Sequence, residues 1–227
     1  MTSGLPWEGR SNLPWDSNSW GVAAQIAARH NRLSASILGT TAGVTEPLLP
    51  TTPALSISSL IIPERTVPEG LLIRSVSVVW NEIVQRLGSD WSVAFQLTPR
   101  QWEELIAGAL QNDKEIKFDE IILTPRSGDH GRDVIAIKNG RMALKILGSV
   151  KRYKPGHLVD YDEILSLIGV MNGELNASKG IITTTSDFPP QVNEHPFIKP
   201  LVPSRLQLIN GEELRKWLAE LAEFGKP

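Results

Sequence analysis

Apolar residues recur at helical spacing in several stretches of the 227-residue chain. Leu72, Val76, Val79, Trp80, Ile83 and Leu87 predict a helix from Thr66 to Gly88, with Thr66 and Glu69 at capping-box spacing and Pro68 in its first turn. Trp102, Leu105, Ile106, Ala109 and Leu110 form the buried stripe of a second helix, opened by Thr98-Pro99-Arg100-Gln101. Glu103 flanks that stripe and Glu104 lies about 100° further round. Asp160 and Glu163 cap a third helix running to about Met171, and Gly211 to Phe224 predicts a closing one. Residues 20–30 carry a short apolar pattern of the same kind. Strands are expected near Phe118 to Leu123, at Val134 to Ile137 and Ala143 to Val150, at Gly180 to Thr185 and at Leu206 to Ile209. From residue 98 the order is αβββαβ, then βα. That order predicts an α/β fold, a mixed central sheet flanked by helices, preceded by a mostly helical and irregular N-terminal region.

Polar and proline-rich stretches divide the chain further. Residues 1–68 hold seven of the sixteen prolines, and 39–68 read as a linker rich in Thr, Ser and Pro. Residues 69–96 read as a helical connector and 97–227 as the main domain. All ten lysines fall from Lys114 onward. Near the start, Leu5-Pro6-Trp7-Glu8 is echoed by Leu13-Pro14-Trp15-Asp16. Such a segment lacks the apolar density to order itself. Two readings stay open: Trp7 and Trp15 anchor a partner or a neighbouring subunit, as a homo-oligomer or larger complex requires, or the segment folds back on its own domain.

Composition narrows the function classes. The net charge of −2 means that any nucleic-acid surface must be local. The absence of Cys excludes disulfides, thiolate metal sites and a Cys nucleophile, and fits a cytoplasmic location. No apolar run is long enough to span a bilayer, so no membrane partner is expected. There is no phosphate-binding Gly-x-x-x-x-Gly-Lys loop and no Gly-x-Ser-x-Gly elbow. His157 and His195 lack metal-ligand spacing, and His130 reads as a turn residue.

The candidate chemistry lies in residues 128–154. An acidic turn, Asp129 to Asp133, leads into one strand, and the next delivers Lys151-Arg152-Tyr153-Lys154. No acid interrupts Val134 to Val159, while Lys138, Arg141, Lys145, Lys151, Arg152 and Lys154 are basic. A turn at Asn139-Gly140 would pair the strands, and alternation puts Ser149 and Lys151 on one face. Asp133 alone is an ordinary turn residue, and a charge run is usually a solvated strand end. Together they suit metal-assisted attack on a phosphodiester: a hard oxygen ligand, an ammonium beside the reacting water and a phosphate-facing surface.

Five segments carry a resemblance: LTPRQWEELIAGAL (97–110), ILTPRSGDHGRDVIAI (122–137), VKRY (150–153), KGIITTTSDF (179–188) and LQLINGEEL (206–214). In order and spacing they resemble the Mrr-type restriction endonuclease domain of the PD-(D/E)XK nuclease superfamily. The resemblance implies a restriction-endonuclease-like core, DNA cleavage with Mg²⁺ or Mn²⁺, and a role in bacterial restriction or anti-phage defence. It assigns catalytic roles to Glu103, Asp133, position 149 and Lys151, and metal ligation to Asp133, Glu103 and the Val150 carbonyl. Arg132, Lys138, Arg152, Tyr153 and Lys154 are then the expected DNA contacts. The family usually has Glu or Gln where this chain has Ser149, which is a poor, uncharged ligand. A degenerate nuclease fold that binds DNA or an assembly partner is the alternative, and Glu103 is the candidate replacement for the missing carboxylate.

Overall fold

The computed structural model describes residues 59–126 and 131–224, all within one compact unit, Thr52–Pro227. The pattern at 20–30, the two Leu-Pro-Trp elements and the turn residues Asp129 and His130 lie outside the described residues. Among the described residues, seven strands form one sheet in sequence order. They are β1 (Ile61–Val67), β2 (Gly70–Val76), β3 (Glu120–Leu123), β4 (Val134–Lys138), β5 (Leu144–Lys151), β6 (Lys179–Thr184) and β7 (Leu206–Ile209). β1 to β5 run as an antiparallel meander, while β6 and β7 add in parallel. The helices are α1 (Val78–Ser89), α2 (Pro99–Gln111), α3 (Tyr161–Gly173) and α4 (Gly211–Phe224).

The mixed sheet is as expected, but its first two strands replace a predicted helix and the end of a predicted linker. The helix expected from Thr66 begins only at Val78, where the Ser77 hydroxyl accepts from the Trp80 amide. Before it, β1 and β2 form a hairpin with Val67 opposite Gly70. Pro68 is therefore a turn residue, for which its fixed φ suits it equally well. Leu72 and Ile73 are buried against the sheet, whose closure outweighs local helical spacing. Gly70 sits at φ +151, and a side chain there would run into the Leu123 carbonyl. Glycine is what lets β2 pass so close to β3.

Two apolar layers enclose the sheet. On one face α1, α2 and α4 bring Trp80, Leu87, Trp102, Leu105 and Leu218 onto Ile121, Val134 and Ile146. On the other, α3 lays Ile164, Leu167 and Met171 on Ile135, Leu147 and Ile182. α2 starts with a complete capping box between Thr98 and Gln101. Along β5 the alternation is strict: Leu147 packs toward α3, whereas Ile146 and Val150 pack toward α2. Because β5, α3 and β6 form a crossover between parallel strands, α3 begins beside the C-terminal end of β5.

Candidate active site

Asp133 stands at the mouth of β4, opposite the C-terminal end of β5. Its amide donates to Gly148 O at 2.7 Å, and its carbonyl accepts from Thr124 N at 3.0 Å. Its Oδ2 accepts from Val150 N at 2.6 Å, a charge-assisted bond that fixes the carboxylate against β5. The Asn139-Gly140 hairpin forms as predicted, with Val134 opposite Gly148 and Lys138 opposite Leu144. Ser149 is only 2% exposed and lies beside Ile182 of β6. Lys151, two residues on, projects to the α3 face, where its Nζ meets Glu163 Oε1 at 3.1 Å.

Glu163 is the residue that sequence reasoning treated only as a helix cap. It does cap α3, its Oε2 accepting from Asp160 N at 3.2 Å. Its carboxylate also accepts from the Tyr153 hydroxyl at 2.7 Å. Burial alone would raise the Glu163 pKa, but the bonds from Tyr153 and Lys151 outweigh it and hold the carboxyl below its ordinary value. Burial and the Glu163 carboxylate together push the Tyr153 phenol well above its ordinary range. The signal for Glu163 was available: an acid on the first turn of a helix that starts where a lysine-bearing strand ends.

Glu103 lies near the start of α2. Its Oε2 pairs with Arg100 Nη1 at 2.7 Å, and the same nitrogen donates to Thr124 O at 2.9 Å. Arg100 thus links Glu103 to the segment that holds the Asp133 backbone. Glu104 instead accepts from Leu60 N at 2.7 Å, fixing the start of β1.

Several of the expected DNA contacts have partners within the fold. Arg132 forms an ion pair with Glu174, which also binds Lys145. Arg152 donates through Nη2 to Phe95 O at 2.7 Å. Tyr153 is locked to Thr185 through both its amide and its carbonyl, and its ring lies 4.4 Å from that of His157. Lys138 is half-buried at the end of β4 away from Asp133, and Lys154 is exposed just beyond β5.

All candidate ligands are oxygen donors, which suits a hard cation. Among the described residues, no three His, Asp or Glu side chains are grouped closely enough to hold an ion. Two carboxylates, Asp133 and Glu163, nonetheless flank the end of β5 through Val150 and Lys151. A cleft of about 310 Å³ between α2, the sheet and α4 is lined by none of these residues. No helix among the described residues is long and apolar enough to cross a membrane.

Asp133, Lys151 and Glu163 thus lie at one end of β5, an interior strand of the mixed sheet. The chain belongs to the restriction endonuclease family, whose Mrr catalytic-domain model matches residues 95–218. No curated protein matches it. Among solved structures it is similar to the MspJI restriction endonuclease in complex with a 27-mer oligonucleotide, at 17% identity and a TM-score of 0.43 over 66% of this chain and 32% of that one. It is also similar to the DNA modification-dependent restriction endonuclease AspBHI, at 16% identity and a TM-score of 0.41 over 73% and 40%. The chain spans less than half the length of either.

Proposed function

We propose that the protein is a Mg²⁺- or Mn²⁺-dependent DNA endonuclease acting in restriction or anti-phage defence. The observation that carries this reading is that Asp133 and Lys151 lie at the same end of the β4–β5 hairpin, with the Asp133 carboxylate bonded to the amide just before Lys151, inside a restriction endonuclease domain. A bound divalent ion supplies charge neutralisation at the phosphate and a more acidic water. Asp133 would hold that ion, with the Val150 carbonyl beside it. The Lys151 ammonium stabilises negative charge on the phosphoryl oxygens, or orients the attacking water once it is released from Glu163. Lys154, exposed beyond β5, is the predicted cation best placed to meet a phosphate near the site.

Asp133→Ala and Lys151→Ala are each expected to lower cleavage of plasmid or modified DNA by at least about 100-fold, the scale of losing a catalytic acid, base or charge stabiliser. Wild-type cleavage that survives both changes would sink the reading.

Ser149 favours a second reading, a domain that binds DNA without cutting it. Its mark is DNA affinity that falls steeply with salt, alongside no divalent-ion binding in calorimetry.

A further inference from the structure

We propose that Glu163 is the second acidic ligand of the metal site and fills the role vacated by Ser149; this rests on the metal-dependent nuclease reading. The position of Ser149 leads to it. Alternation along β5 turns 147, 149 and 151 toward α3, and the two neighbours show what lies above: Leu147 packs with Ile164 and Leu167, and Lys151 touches Glu163. Ser149 therefore lies beneath the N-terminal half of α3 and is 2% exposed. Glu163 stands on the first turn of that helix.

Glu103 is held differently. It is engaged by Arg100, which is itself fixed to Thr124 O. Glu163, by contrast, is on the face of Lys151, and the Asp133 carboxylate bonds the amide of the residue immediately before that lysine. Asp133 thus bonds the backbone of Val150 and Glu163 meets the side-chain tip of Lys151, at the same end of β5. Tyr153 is the positioning residue. Its hydroxyl contacts both Glu163 oxygens, while its backbone is clamped to Thr185, so it sets where the carboxylate points. Lys151 stands in as counter-ion until a divalent cation takes the carboxylate. Binding that cation frees the ammonium for the phosphate.

The test is Mn²⁺ binding to the full chain without DNA, measured by calorimetry or by the Mn²⁺ electron-spin signal. Glu163→Gln keeps an acceptor for Tyr153 and for the Asp160 amide but removes the charge. It is expected to weaken Mn²⁺ binding by at least about tenfold, since affinity follows ligand charge. Ser149→Glu added to Glu163→Gln is expected to recover most of the loss. Tyr153→Phe is expected to weaken binding about tenfold while leaving the fold intact, as for other residues that orient a ligand. If the double variant does not fold, Glu163→Gln alone decides. Mn²⁺ affinity lost in Asp133→Ala yet unchanged in Glu163→Gln overturns the assignment and leaves the nuclease reading standing. A wild-type chain that binds no Mn²⁺ overturns both.

Discussion

Single residues here do two jobs, and burial decides which is visible. The basic run from Lys138 to Lys154 reads in sequence as a phosphate-facing surface, yet several of its members are spent on internal partners. Arg152 is the clearest. Its guanidinium holds the Phe95 carbonyl and so ties the short 3-10 turn at Trp91–Phe95 to the end of β5. Arg152→Ala is expected to cost about 1.5–3 kcal/mol, the range for a hydrogen bond to a charged group, read as a lower urea midpoint. An unchanged midpoint with weakened DNA binding would return Arg152 to the DNA surface. Asp133 and Lys151 were legible in sequence because a two-residue period and an Asn-Gly turn specify which groups share a hairpin. Glu163 was passed over, because a capping box already accounts for an acid at that position.

At the scale of elements, α2, α3, α4 and the strands from β3 to β7 follow the spacing of their apolar residues to within a few positions. The exception is residues 61–76. There Leu72 and Val76 fit a helix and a strand equally well, and Thr66 with Glu69 imitates a cap. What decides is tertiary: β2 has β3 to pair with, Leu71 opposite Leu123 and Leu72 opposite Ile122. Local spacing cannot see a partner some 50 residues away. The same crossing makes Gly70 indispensable. Gly70→Ala is expected to cost about 1–3 kcal/mol for the strained backbone alone, with the Leu123 carbonyl adding to it. Equal thermal midpoints for the variant and the wild type would show that β2 can shift away from β3.

For the whole molecule, the hairpin of β1 and β2 changes where the folding unit begins. The sheet does not start with the segment that resembles a nuclease. Residues 61–89 contribute two strands and a helix whose Trp80, Ile83 and Leu87 belong to the core shared with α2 and α4. Trp80 also donates to Leu105 O at 3.0 Å, bonding α1 to the middle of α2. A chain beginning at Thr52 is expected to unfold cooperatively near the wild-type temperature. One beginning at Val93, which loses these contacts, is expected to show no cooperative transition in calorimetry. A sharp transition for the shorter chain would mean that the remaining strands suffice.

The uninterrupted sequence order of the strands has a consequence for how the active centre comes into being. Asp133 and Lys151 belong to one local hairpin, a unit of the kind that closes in microseconds. Glu163 joins through the crossover that β6 completes, so it depends on contacts made later and at longer range. A nascent or partly unfolded chain would then hold a carboxylate and a lysine side by side with no third group to complete them. The centre would be assembled last at the point where α3 docks, so cutting competence would report that the whole sheet has closed.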